Sequence, residues 1–249
     1  MDQGLIDLIS SHLPSSVGFS ASGDECISSS TEELLSKISE GEKQLLGERA
    51  SDKRMREFCL GRLAAKAALA QLFENREASE FEILRKNFRA PLWPTNSVGS
   101  ISHCSNSAVA VAGLSQQYQS LGLDLITRSR IVNPKVLSVL CSPNEQETLI
   151  KSWDGDLNVL RLIVFSAKES LYKIFSNLNV TRMEWADFGL ELPTVSFDQS
   201  NFIFQAKFSI GLRAKMQSLG LLDTHVDRIP VMVITSNKFI FSFGCLATC

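Results

Sequence analysis

The 249 residues leave room for one large domain or two small ones, and either arrangement could bury a real core. A hydrophobic content of 44% with 21% charged residues belongs to a globular protein, and a net charge of −2 argues against a nucleic-acid binder, whose domains are distinctly basic. The six cysteines, Cys26, Cys59, Cys104, Cys141, Cys245 and Cys249, form no CxxC pair and no zinc-ligand spacing. The start Met1-Asp2-Gln3-Gly4 lacks the basic character of a secretory signal, and no apolar stretch approaches transmembrane length. A reducing cytoplasm is the expected location.

In chain order, residues 1–50 mix short apolar runs with Ser/Glu-rich segments, and Thr31-Glu32-Glu33-Leu34-Leu35 reads as a helix start capped by Thr31 or Ser30. From Asp52 to Phe73 the pattern is strongly helical. Leu60, Leu63, Ala64, Ala67, Ala68 and Leu72 form an apolar stripe, flanked or interrupted by Arg54, Arg62 and Lys66. Phe81-Glu82-Ile83-Leu84 predicts a strand, and the prolines of Pro91-Leu92-Trp93-Pro94-Thr95-Asn96 predict an extended loop. Ser100-Ile101-Ser102 and Ala108-Val109-Ala110-Val111-Ala112 read as two strands of a hairpin-like unit. Residues 121–126 read as a buried strand with Asp124 inside it.

Further on, Ser142-Pro143-Asn144-Glu145 has cap, first-turn proline and capping-box glutamate, so a helix is predicted to about Trp153. After the Asp154-Gly155 turn a second helix runs to about Phe175. The tail, with β-branched and aromatic runs at 201–208, 231–235 and 239–243, is strand-rich. Each half thus places helices with basic residues before strands. This predicts an α+β fold built from a duplicated unit with its junction near 113–120, although the halves share no convincing sequence identity.

Three short segments carry the chemistry. Phe165-Ser166-Ala167-Lys168-Glu169-Ser170-Leu171-Tyr172-Lys173 puts Glu169 and Lys173 one helical turn apart on one face, with Lys168 at its edge. Taken alone, Glu169 and Lys173 also read as an ordinary surface ion pair. Asp124, between Leu123 and Leu125, is a carboxylate in an apolar run, which is costly unless paired or bound to a metal. His103, in Gly99-Ser100-Ile101-Ser102-His103-Cys104, reads equally as a ligand or a structural histidine, and Trp93 alone reads as core. Together the segments supply two carboxylates, an imidazole, a hydroxyl and two lysines, an inventory suited to a metal and a polyphosphate. No Walker-type glycine loop with lysine is present, which sets aside a P-loop phosphotransferase.

In its sequence blocks the chain resembles the 4'-phosphopantetheinyl transferases, most of all the enterobactin-synthase component D type. The likeness runs through Lys53-Arg54-Met55-Arg56-Glu57-Phe58, Gly61-Arg62-Leu63-Ala64-Ala65, Arg89-Ala90-Pro91-Leu92-Trp93-Pro94, Gly99 to Cys104, Gly122-Leu123-Asp124, and Phe165 to Lys173. These blocks stand in family order between about residues 52 and 176. The resemblance implies a pseudo-twofold pair of similar α/β lobes, here 1–116 and 117–249, acting as a cytoplasmic monomer. It also implies transfer of the phosphopantetheine arm of coenzyme A to a serine of an apo acyl, peptidyl or aryl carrier protein, with adenosine 3',5'-bisphosphate released. Siderophore (enterobactin-like) or polyketide synthesis is the implied setting.

Carried over by position, Asp124 and Glu169 are implied as Mg2+ ligands, with Glu169 also accepting the serine proton directly or through a metal-bound water. Lys168 and Lys173 are implied to stabilise the phosphates. Arg54, Arg62 and His103 are implied to grip the 3'-phosphate end of coenzyme A, Arg89 with Pro91, Leu92 and Trp93 to flank the nucleotide, and Ser102 to hydrogen-bond nearby. Arg128 and Arg130, just after Asp124, are expected to meet an acidic carrier protein. One departure stands out. The family usually has a second acid two residues after the aspartate, where this chain has Ile126. A non-catalytic relative that still binds coenzyme A or a carrier is the competing reading that Ile126 supports.

Overall fold

The computed structural model describes the chain apart from residues 2, 23–25, 27, 74, 87–89, 181, 192–200, 222–227 and 249. It divides into two compact units, Met1–Leu121 and Gly122–Ala247. Both mix helices with antiparallel strand pairs, so the class is α+β. Among the described residues no helix is long and apolar enough to cross a membrane.

The first unit begins with α1 (Gln3–His12), β1 (Val17–Ala21), α2 (Thr31–Ser36), α3 (Glu40–Lys43) and the long α4 (Asp52–Ala70). A small hairpin of β2 (Leu84–Arg85) and β3 (Pro91–Leu92) follows, then β4 (Ser97–Cys104), β5 (Ser107–Leu114) and the opening of β6 (Tyr118–Thr127). A three-stranded sheet in the order β1-β5-β4 forms its centre. Ser105 and Asn106, both with positive φ (45° and 63°), make the two-residue turn between β4 and β5, a primed geometry that suits the twist of a hairpin. The alanine-rich face of α4 lies in the core: Ala64, Ala65, Ala68 and Leu69 are buried with Phe81, Ile83 and Trp93.

The second unit holds the rest of β6, α5 (Val136–Leu140), α6 (Pro143–Lys151), α7 (Leu157–Asn177), β7 (Phe188–Glu191), β8 (Asn201–Phe208), α8 (Ile210–Ser218), β9 (Arg228–Thr235) and β10 (Phe239–Ala247). Its sheet runs β6-β10-β9-β8-β7. Phe175 of α7 stacks on Phe188 and meets Phe208 edge-on, which ties the helix to the sheet at 5.4 and 5.3 Å between ring centroids.

The same polar hub occurs once in each unit. In the first, Glu42 closes the capping box of α3 with Ser39, accepts the Ile83 amide at 2.9 Å, and pairs with Lys66 of α4 at 2.7 Å. In the second, Glu145 closes the capping box of α6 with Ser142, accepts the Leu190 amide at 2.8 Å, and pairs with Lys168 of α7 at 3.1 Å. Each glutamate therefore joins a short helix, a long helix and the strand region that follows. Buried charges persist only when paired and hydrogen-bonded in this way.

The structure refines several expectations. The strand predicted over 81–84 is confined to Leu84–Arg85, because Phe81 and Ile83 turn into the core and the hairpin partner offers only Pro91 and Leu92. The helix predicted to residue 73 ends at Ala70, and the loop predicted over 91–96 opens as β3 before Asn96 takes the left-handed turn (φ 64°). α7 runs on to Asn177, and the α6 capping box forms as its sequence predicts.

Candidate active site

In the second unit the site grows from the packing of β6 against α7. A Cβ on Gly122 would stand 2.0 Å from the Ser170 carbonyl oxygen, so only glycine lets strand and helix approach this closely. Two residues on, Asp124 is 7% exposed. The Lys173 ammonium donates to Asp124 Oδ1 and to the Leu123 carbonyl, both at 2.9 Å, and so crosses from helix to strand.

One turn before Lys173, burial raises the Glu169 carboxyl above the usual carboxylate range. Lys173 opposes that shift, Asp124 adds to it, and Arg130 opposes it. Asp124, Glu169 and Lys173 thus form one electrostatic cluster. Arg130 joins it, with its guanidinium 5.6 Å over the Phe165 ring centroid. Arg128 is held differently, by donating to the Ser236 carbonyl at 3.0 Å.

Lys168 is fully buried and is held by partners outside this cluster. Its ammonium donates to the Leu140 carbonyl, to Glu145 and to the Trp185 carbonyl at 3.3 Å. An ammonium has three donors, and three protein acceptors engage them. Cys141, beside this pair, is an inert thiol that burial pushes up to about 12.

Magnesium fits the donor chemistry of the cluster. Among the described residues no three His, Cys, Asp or Glu side chains gather as a metal group. Asp124 and Glu169 do offer two hard oxygen donors within electrostatic reach of one another. Magnesium commonly keeps several waters and takes one or two carboxylates plus substrate phosphates, so two donors suffice. Ile126, at the position of the usual second acid, is buried in the apolar core of this unit.

The first unit holds the remaining candidates. Arg54 stands in the first turn of α4 and lines a pocket of about 250 Å³ together with Phe58 and Arg85. Arg62 lies with its guanidinium 4.5 Å over the Phe58 ring, and Nη2 donates to the Leu84 carbonyl at 3.4 Å. His103 is at the end of β4, where Nδ1 is 3.6 Å from Glu57 Oε2. Ser102 is buried on the same strand. Trp93 is buried against Gly99, whose Cβ would fall 2.5 Å from the indole, whereas Leu92 is exposed and Pro91 pairs with Arg85. Arg89 lies outside the described residues. The sequence offers Arg85, with Lys86 and Arg89, as a positive cluster that could meet phosphates, whereas Glu57 and both hub glutamates emerge as partners only through distant residues.

Comparison with known proteins agrees with these blocks. The family described as 4'-phosphopantetheinyl transferase N-terminal domain matches residues 41–113. The chain is 32% identical over 161 residues to the 4'-phosphopantetheinyl transferase Npt of Nocardia iowensis, a match covering 64% of this chain and 69% of that protein. It is 30% identical over 148 residues to the 4'-phosphopantetheinyl transferase PptT of Mycobacterium tuberculosis, covering 59% and 63%. It is 31% identical over 125 residues to enterobactin synthase component D of Escherichia coli, covering 50% and 56%, so the chain spans between half and two thirds of these last two relatives. With family blocks, domain match and relatives in agreement, the chain is an enzyme of the 4'-phosphopantetheinyl transferase family.

Proposed function

We propose that this chain transfers the 4'-phosphopantetheine arm of coenzyme A to a serine hydroxyl of an apo acyl, peptidyl or aryl carrier protein and releases adenosine 3',5'-bisphosphate. The cluster of Asp124, Glu169 and Lys173 carries this reading. Glu169, with its raised carboxyl, takes the proton from the serine hydroxyl. The serine oxygen then bonds to the phosphorus that bears the pantetheine arm, while the bond from that phosphorus to the bridging pyrophosphate oxygen breaks. Lys173, anchored on Asp124, places an ammonium against the charge that shifts to the leaving phosphate. A magnesium ion held by Asp124 and Glu169 would neutralise pyrophosphate charge and align the reacting groups.

Arg54, Arg62 and His103 are assigned to the 3'-phosphate end of coenzyme A, with Ser102, Arg89 and the Pro91–Leu92 edge near the nucleotide. Trp93 contributes by supporting that edge from the core. Lys168 is assigned a positioning role, because it fixes α7 through Glu145 while its neighbour Glu169 performs the chemistry. The repeated Glu–Lys hub supports descent of the two units from one duplicated lobe, with the family's pseudo-twofold arrangement. The likeness to component D favours siderophore carriers, with polyketide carriers as the alternative class. The described cysteines are free thiols, in keeping with a cytoplasmic enzyme, and we take it to act as a monomer.

Ile126 favours one second reading, a weakened relative that binds coenzyme A or a carrier without efficient transfer. Following adenosine 3',5'-bisphosphate release from coenzyme A separates the two. Release that requires both apo carrier and magnesium supports transfer, whereas coenzyme A binding without release supports the weakened relative. In the transfer case Ile126→Glu should lower the magnesium concentration needed for half-maximal rate.

A further inference from the structure

The pocket of the first unit contains more positive charge than the assignment above uses. Leu45, Leu46, Ala50 and Phe58 form its apolar wall, and Arg54 and Arg85 bring guanidiniums to it. Arg54 sits at the start of α4, the positive end of the helix dipole, where a cation is disfavoured. Arg62 covers the Phe58 ring and reaches the Leu84 carbonyl, the residue immediately before Arg85. Its buried Nε has no hydrogen-bond partner among the described residues. Arg62 thus lies on the Phe58 ring, and Arg54 and Arg85 line the pocket that this ring shares.

The acid that offsets Arg62, Glu42, has partners of its own. Burial pulls the Arg62 guanidinium down to about 10, with Glu42 opposing and both Arg85 and Arg54 adding to the fall. Glu42 is already committed to Lys66, to the Ile83 amide and to its own helix cap. Neither Arg54 nor Arg85 makes an ion pair or side-chain hydrogen bond among the described residues. Mutual repulsion and the adverse dipole at Arg54 oppose this grouping, and a dianion in the pocket lined by Arg54 and Arg85 relieves both. A phosphate monoester has that charge, and its oxygens match the guanidinium fork. Arg85 is presented by the β2–β3 hairpin, where it pairs with Pro91, so its backbone is fixed before any ligand arrives.

We infer that Arg85 is a further specificity-determining residue, which closes this pocket on the 3'-phosphate of coenzyme A opposite Arg54. The inference rests on the assignment of Arg54 and Arg62 to that phosphate. The test is calorimetric binding of coenzyme A and of 3'-dephospho-coenzyme A to the intact chain, its Arg85→Ala variant and its Arg85→Lys variant. Arg85 is exposed, so the variants should fold, which their melting temperatures will check. The wild type should prefer coenzyme A. Arg85→Ala should lose about tenfold of that preference, equivalent to about 1.4 kcal/mol, with 3'-dephospho-coenzyme A bound as before. Arg85→Lys should recover part of it, keeping the charge without the fork. An undiminished preference in Arg85→Ala overturns the role of Arg85. A wild type that binds both donors equally overturns the underlying phosphate assignment, and the inference falls with it.

Discussion

Replacing Lys168 with methionine tests whether this residue works through structure or on the phosphates. The change keeps the length and most of the volume of the side chain but deletes the ammonium. Glu145 then loses its cation, and the Leu140 and Trp185 carbonyls lose a shared donor. Breaking one side of a buried pair costs about 3–5 kcal/mol, and Lys168, at 0% exposure, warrants the full range. For a chain of this size that corresponds to a fall in melting temperature on the order of 10 °C. A cycle of thermal melts on Lys168→Met, Glu145→Gln and the double variant isolates the pair. Glu145→Gln keeps an oxygen for the Leu190 amide, so the double variant should lose clearly less than the two singles summed. Lys66→Met, the counterpart in the first unit, should destabilise to a similar extent. A Lys168→Met variant with unchanged melting temperature and collapsed transfer would refute the positioning role and return Lys168 to the phosphates.

Three other predictions concern the carboxylate cluster and the arginines beside it. Because Glu169 is raised in the fold, the folded state holds its proton more tightly than the unfolded chain; the stabilisation this gives is complete below the ordinary carboxylate range and is lost as pH rises through the raised value. In metal-free buffer Glu169→Gln should therefore melt higher than wild type at about pH 8, and the difference should shrink towards about pH 4, while transfer is lost at every pH; a Glu169→Gln that melts lower at high pH would contradict the burial-driven shift. Arg130→Glu should raise the Michaelis constant for an acidic carrier several-fold at low salt and far less at high salt, since exposed charges act mainly on encounter. Arg128→Glu should instead lower the melting temperature, because Arg128 is tied to the Ser236 carbonyl; carrier kinetics that ignore salt in the Arg130 variant would place docking elsewhere.

What the sequence revealed was mostly local. Ser142, Pro143 and Glu145 declare a helix start within four residues, and the capping box forms as written. Glu169 and Lys173 share a face through helical spacing alone, and Asp124 shows its burial through its apolar neighbours. What stayed hidden depends on partners far apart in sequence. β1 exists because Val17 to Ala21 pair with β5, and nothing within that short run specifies it. Lys168 reads in sequence as a residue at the edge of the Glu169–Lys173 face, and its partners Glu145, Leu140 and Trp185 converge on it only in the fold. His103 gains its neighbour Glu57 only once α4 lies beside β4. Arg85 follows the stretch predicted as a strand and reads as part of a positive cluster with Lys86 and Arg89, but its approach to Arg62 emerges only from the contact of Leu84 with α4.

The intact mass of an apo carrier protein after incubation with this chain, coenzyme A and magnesium tests the central claim most directly. With the wild-type chain the carrier should gain the mass of one phosphopantetheine, located on its acceptor serine. With Asp124→Ala, folded but stripped of the residue that anchors Lys173 and offers a metal donor, the carrier should stay unmodified. A wild-type chain that leaves every apo carrier of a siderophore and polyketide panel unmodified would contradict the proposed transfer, and an Asp124→Ala variant that modifies the carrier at the wild-type rate would contradict the assigned site.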